Sequence, residues 1–203
     1  MNIIVSKIPI ISNNQKVYNG CCNRGKTFYF TQDKLNEIHV FGENCCYESK
    51  IETNDTYYGI ACNSNDSSLY LSRDDNSIIK LDLLSKETVE INIEREAIGK
   101  EKIKSISYCL KENILYIVNE KEITSIEIGK NEINLLSKQI LNENEKEIKF
   151  SSIYNDDENI YIGYTIKNQA YLAKLDEKYK IKEEYYIDDN CTINNIFTQN
   201  RSN

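Results

Sequence analysis

Apolar and polar positions alternate on a short scale along this chain. Runs rich in Ile, Tyr, Val and Thr, each about 5 to 7 residues long, are separated by polar breaks, a spacing that predicts β-strands in tight succession. The runs recur. Thr27-Phe28-Tyr29-Phe30, Ser68-Leu69-Tyr70-Leu71, Ile114-Leu115-Tyr116-Ile117 and Asn159-Ile160-Tyr161-Ile162 share a central tyrosine at steps of 41, 46 and 45 residues. Upstream of each lies an apolar or small run ending in Cys22, Cys62, Cys109 and Tyr154, and the same phase reaches Phe197. Asx-rich and Gly-containing turns join the two runs, as tight hairpins require. Downstream come a third run, such as Ile78-Ile79-Lys80-Leu81-Asp82, and a more charged fourth, such as Lys180 to Ile187.

Four antiparallel strands in about 40 to 45 residues describe the blade of a β-propeller, whereas helical repeats of similar length would show a 3.6-residue period. The expected fold is therefore all-β: a small propeller of four to five four-stranded blades forming a single domain over 1–203. Its units are 17–56, 57–102, 103–147 and 148–190, and 191–203 begins a partial fifth unit pairing with 1–16. Asn2 to Ile11 would then lie beside the C-terminal strand and close the ring, leaving no exposed edge. An open arc would instead invite a second copy, so the expected state is a monomer or a homodimer. Glu94 to Lys104 reads as a long crossover between blades with room for one helical turn.

The segment from Ser68 to Leu83, with Ser68-Leu69-Tyr70-Leu71, the turn Arg73-Asp74-Asp75-Asn76 and the strand end Leu81-Asp82, resembles the repeat of YVTN and NHL type, WD40-like β-propellers. Asn159 to Asp176 echoes it and ends in Leu175-Asp176. The resemblance implies the fold. It spans hydrolases, lyases, lectins and scaffolds alike, so it assigns no activity.

Composition narrows the function classes. The 203 residues carry 25 Lys and Arg against 32 Asp and Glu, a net charge of -7 that repels phosphate backbones and anionic lipid surfaces. Neither nucleic acid nor membrane is an expected partner, and no apolar run has the length of a membrane helix. Seven cysteines cannot all pair within one chain, and without a signal-peptide pattern the expected compartment is the reducing cytoplasm, with free thiols.

Candidate chemistry is sparse. Cys21-Cys22 and Cys45-Cys46 are adjacent pairs without the C-x2-4-C spacing of structural zinc, and neighbouring strand residues point to opposite faces. Cys22, Cys62 and Cys109 read as one repeated packing position. His39 is the only histidine and reads as an outward-facing residue of a third strand. Asx-rich turns account for the acidic loops without calcium, so no metal, cofactor or catalytic residue is expected. The tyrosines at the repeat centre should fill the space between blades. Tyr18, Tyr57 and Tyr58 stand where the chain passes between blades, and with Arg24, Arg73 and Asp74 they form the expected binding set on one loop face. The expected function is a non-catalytic binding or scaffold module for a protein partner. A lactonase or lyase using channel-facing acids, and a lectin with one aromatic site per blade, are the alternatives.

Overall fold

A computed structural model describes residues 18–32, 34–43, 46–93, 95–129, 133–140, 148–156, 158–193 and 196. Within them the chain folds into four sheets of four antiparallel strands, each sheet ordered as the chain runs. Blade 1 contains β1 (Tyr18–Arg24), β2 (Thr27–Gln32), β3 (Glu37–Phe41) and β4 (Tyr47–Glu52). Blade 2 contains β5 (Ile60–Asn63), β6 (Ser68–Ser72), β7 (Ile78–Asp82) and β8 (Thr88–Ile91). A single helical turn, α1 (Arg95–Ile98), interrupts the crossover to blade 3, which contains β9 (Ser105–Cys109), β10 (Ile114–Val118), β11 (Glu122–Ile128) and β12 (Ile133–Ile140). Blade 4 contains β13 (Ile148–Asn155), β14 (Ile160–Ile166), β15 (Gln169–Leu175) and β16 (Ile181–Asp189).

The hairpins follow from local chemistry. Gly25 supplies a positive φ in the two-residue β1–β2 turn, and Lys167 and Asn168 are both left-handed in the β14–β15 turn, the twist that two-residue hairpins favour. The Leu-Asp strand ends act as turn caps. Asp82 Oδ1 accepts from the amides of Leu84 and Ser85, both at 2.8 Å, and Asp176 Oδ1 accepts from those of Lys178 and Lys180 at 2.8 and 2.9 Å.

Blades stack face to face, and the core lies in the three seams between them. Tyr29, Ile38 and Val40 meet Tyr57, Ile60, Leu69 and Leu81 between blades 1 and 2. Tyr70 and Ile78 meet Ile106, Tyr108 and Leu115 between blades 2 and 3, and Tyr116 and Val118 meet Phe150, Ile162 and Tyr164 between blades 3 and 4. The four repeat tyrosines, Tyr29, Tyr70, Tyr116 and Tyr161, are all buried, as the sequence pattern predicts. Strands covered on both faces have no polar alternation, which is why β6 and β9 are buried along their full length. Outer strands β4, β8 and β16 are mostly exposed.

Inner strands β1, β5, β9 and β13 lie side by side in that order, and among the described residues β1 and β13 share no comparable contact. Hydroxyls knit this inner row: Ser105 Oγ accepts from the Ile153 amide at 3.3 Å and Ser107 Oγ from the Asn155 amide at 2.9 Å. Beyond blade 4, Ser151 donates to the Ile193 carbonyl at 2.8 Å, as Thr31 donates to the Tyr58 carbonyl where the chain leaves blade 1. The expected pairing of 1–16 with 191–203 falls largely outside the described residues.

Two sequence readings need correction. The cysteines do not occupy one repeated position. Tyr29 pairs across the hairpin with Cys22 itself, Tyr70 with Ala61 and Tyr116 with Ser107, so Cys62 and Cys109 sit one and two residues beyond the tyrosine's partner. The β5–β6 and β9–β10 turns are two residues longer than the β1–β2 turn, which sets Cys109 two residues beyond its tyrosine's partner, and the extra residue between Cys62 and Tyr70 reduces that offset to one for Cys62. His39, read as outward-facing, is 2% exposed in an aromatic cluster with Tyr18, Phe41 and Tyr47.

Candidate functional site

Because each blade has four strands, the chain enters every inner strand at one end of the molecule, the crossover end. The β1–β2, β5–β6 and β9–β10 turns lie at the opposite, hairpin end. This alternation sorts the six residues of the expected binding set. Tyr57, Tyr58, Arg73 and Asp74 belong to the crossover end above blade 2. Arg24 ends β1 at the hairpin end, where its Nη2 donates to Ser67 Oγ at 2.8 Å. Tyr18 begins β1 but lies on the face of blade 1 turned from blade 2, packed on Phe30 at 5.2 Å between ring centroids. Its hydroxyl is hydrogen bonded to His39 Nδ1 at 3.1 Å, and His39 Nε2 lies 3.2 Å from Glu37 Oε2.

The four residues that do come together hold the crossovers onto blade 2. The Tyr58 amide donates to the Ser72 carbonyl at 2.9 Å, fixing the connection at the seam. Tyr58 then presents its ring face to Lys102, whose Nζ lies 3.4 Å from the ring centroid and 2.5 Å from Asp74 Oδ1. Burial works to lower the Lys102 pKa, but the Asp74 carboxylate, with Tyr58 beside it, outweighs it and holds the ammonium above its ordinary value. Arg73 pairs with Asp55 at 2.7 Å and Glu90 at 3.5 Å, and its side chain is hydrogen bonded to Tyr57. Tyr57 is 3% exposed, so it is a core residue beneath the surface and offers no ring to a ligand.

Next to this network a cleft of about 1000 Å³ opens between blades 2 and 3. Half-buried Ile91 and Ile93 form its apolar wall over the core residues Ile78 and Ile98, and Asp75, Glu90, Lys100, Glu101, Lys121 and Glu122 surround them. Asn76 pins its edge: the side chain donates to the Glu101 carbonyl and accepts from the Ile103 amide, both at 2.9 Å. Lys121 pairs with Glu101 at 2.8 Å across the same rim. Four carboxylates against two ammonium groups and the Arg73 guanidinium on Glu90 leave the rim acidic by one charge.

The sequence pattern missed Lys102, Glu90, Asn76 and the isoleucine wall. For Lys102, Ile93 and Ile98 the signal was the length of the second crossover, with α1 inside it, whereas Asn76, Ile78, Glu90 and Ile91 lie in blade 2 itself and had none. Among the described residues no group of three His, Cys, Asp or Glu side chains is placed to hold a metal ion.

No protein-family model matches the chain, and no curated protein sequence does. Solved structures do resemble it. It is similar to Kuenenia stuttgartiensis hydrazine synthase, with a TM-score of 0.58 and 10% identity over 87% of this chain and 51% of that one. It is also similar to the WD40 repeats of RRP9, with a TM-score of 0.57 and 8% identity over 86% of this chain and 52% of that one. For U3-55K the TM-score is 0.57 at 8% identity, over 86% and 53% of the two chains. The chain thus spans about half the length of these structures, and at such identity the likeness is one of fold: an all-β, WD40-like propeller.

Proposed function

We propose that this propeller is a protein-binding module that takes a segment of its partner in the cleft at the crossover end. The cleft carries the proposal: half-buried Ile91 and Ile93 inside a charged rim combine an apolar contact with polar groups that fix orientation. The excess of rim carboxylates favours a segment with an apolar anchor and basic flanks. Fold likeness alone does not choose a function, since one of the similar structures is named a synthase and two are not, so the reading rests on the site. The finer assignment to the YVTN and NHL type is supported by the capped Leu-Asp ends of β7 and β15.

A photo-crosslinking amino acid at exposed Asn92, inside the cleft, tests this against one at exposed Glu112, at the hairpin end. A discrete cross-linked partner from position 92 and none from position 112 is expected. A partner captured only from position 112, or from neither, overturns the proposal.

A further inference from the structure

The phase shift in blade 2 has a chemical result at the hairpin end. Cys22 pairs across its hairpin with Tyr29 and faces blade 2, whereas Cys62 pairs with Leu69, on the face opposite Tyr70, and faces blade 1. A one-residue offset on a strand turns a side chain to the other face. The two thiols therefore meet in the seam, against the same cluster of Tyr29, Leu69 and Leu81, on inner strands that run side by side. Both are partly exposed and neither is in a disulfide. No other described cysteine has this placement. Cys109 is 1% exposed in the seam between blades 3 and 4, Cys21 is on the opposite face of β1 beside Phe30, and Cys46 and Cys191 lie in turns outside the inner strands.

The surroundings make the two thiols unequal. The Cys22 side chain, assisted by Ser64 and the Arg24 guanidinium, holds Cys62 below the ordinary thiol range against the opposing effect of burial. Burial first, and the neighbouring Cys62 second, push Cys22 well above it. One thiol poised as a nucleophile beside a protonated partner is the arrangement that thiol–disulfide exchange uses.

We propose that Cys22 and Cys62 form a redox-active dithiol, converted by exchange with a low-molecular-weight disulfide such as oxidised glutathione into a disulfide that joins blade 1 to blade 2. The Cys62 thiolate attacks one sulfur of the small disulfide, forming a mixed disulfide and releasing the first small thiolate. The Cys22 thiolate then attacks the Cys62 sulfur, forming the protein disulfide and releasing the second. The protons lost by the two cysteines end on the two small thiols, so two protein thiols are oxidised as one small disulfide is reduced. The site lies at the end opposite the partner cleft, so it stands or falls independently of the binding proposal.

The test uses the folded, unmodified chain equilibrated in oxidised glutathione, quenched in acid, alkylated and digested without reduction. Mass spectrometry should find the peptides of Cys22 and Cys62 joined and lighter by two hydrogens. Cys22→Ser should stop at glutathione on Cys62, while Cys62→Ser should leave Cys22 reacting about ten-fold more slowly than Cys62 does in the unmodified chain. A disulfide linking other cysteines overturns the proposal. So does an unmodified chain in which Cys62 carries glutathione that Cys22 never displaces, or in which both thiols stay reduced while exposed Cys46 is modified.

Discussion

Gly20 sits where a side chain has no room. A Cβ there would lie 2.5 Å from the Tyr58 carbonyl oxygen and 3.1 Å from Thr31 Oγ1, and the first of these is backbone held by the Thr31 hydrogen bond. Gly20→Ala should therefore push the first crossover away from blade 1 and cost about 1–3 kcal/mol, the range for overpacking a filled site. Urea unfolding measures it, and a variant as stable as the parent would show that the crossover yields freely. Tyr57 and Tyr58 show how far residue type alone leads. Both are crossover tyrosines, yet one is buried with its side chain hydrogen bonded to Arg73 and the other meets Lys102. No composition or motif separates them.

At the scale of the strand, position within the blade sets the energetic weight. Leu69 on β6 is fully buried between blades, whereas Leu135 on β12 is 50% exposed. Leu69→Ala should cost about 2–5 kcal/mol and Leu135→Ala less than about 0.5 kcal/mol, both read from denaturant midpoints. Equal effects would contradict the seam as the seat of the core. The caps that end β7 and β15 predict a pH response. Backbone amides donating to Asp82 and Asp176 lower both carboxyl pKa values, so these groups stabilise the fold above the unfolded aspartate value, and that contribution is lost as pH falls through the folded values. The Leu84, Ser85, Lys178 and Lys180 amide resonances should titrate with midpoints below about 3.9. Midpoints at or above that value would mean that the caps are not formed in solution.

For the molecule as a whole, each blade is built from a contiguous stretch of chain and packs on its neighbours in sequence, so stability should spread only to adjacent blades. Leu69→Ala is expected to lower hydrogen-exchange protection across blades 1 and 2 while leaving Ile162 in blade 4 protected almost as before. Uniform loss of protection would instead mark one cooperative unit. The blades, their strand order, the buried repeat tyrosines and the exposed outer strands were legible in the sequence, because all depend on local periodicity and on turn residues within one unit. Facing across a seam was not legible. It depends on the register across the hairpin: both turns hold an even number of residues, so the change from a step of seven residues between Cys22 and Tyr29 to one of eight between Cys62 and Tyr70 turns Cys62 to the other face, toward Cys22. Arg24 and Arg73 fall at opposite ends because one closes the first strand of its blade and the other follows the second. The cleft arises only when the crossover containing α1 folds against β7 and β8. Local pattern determined the repeating unit, and tertiary packing alone decided which side chains from different units share a surface, because those contacts join residues about one repeat apart whose relative orientation no short window contains.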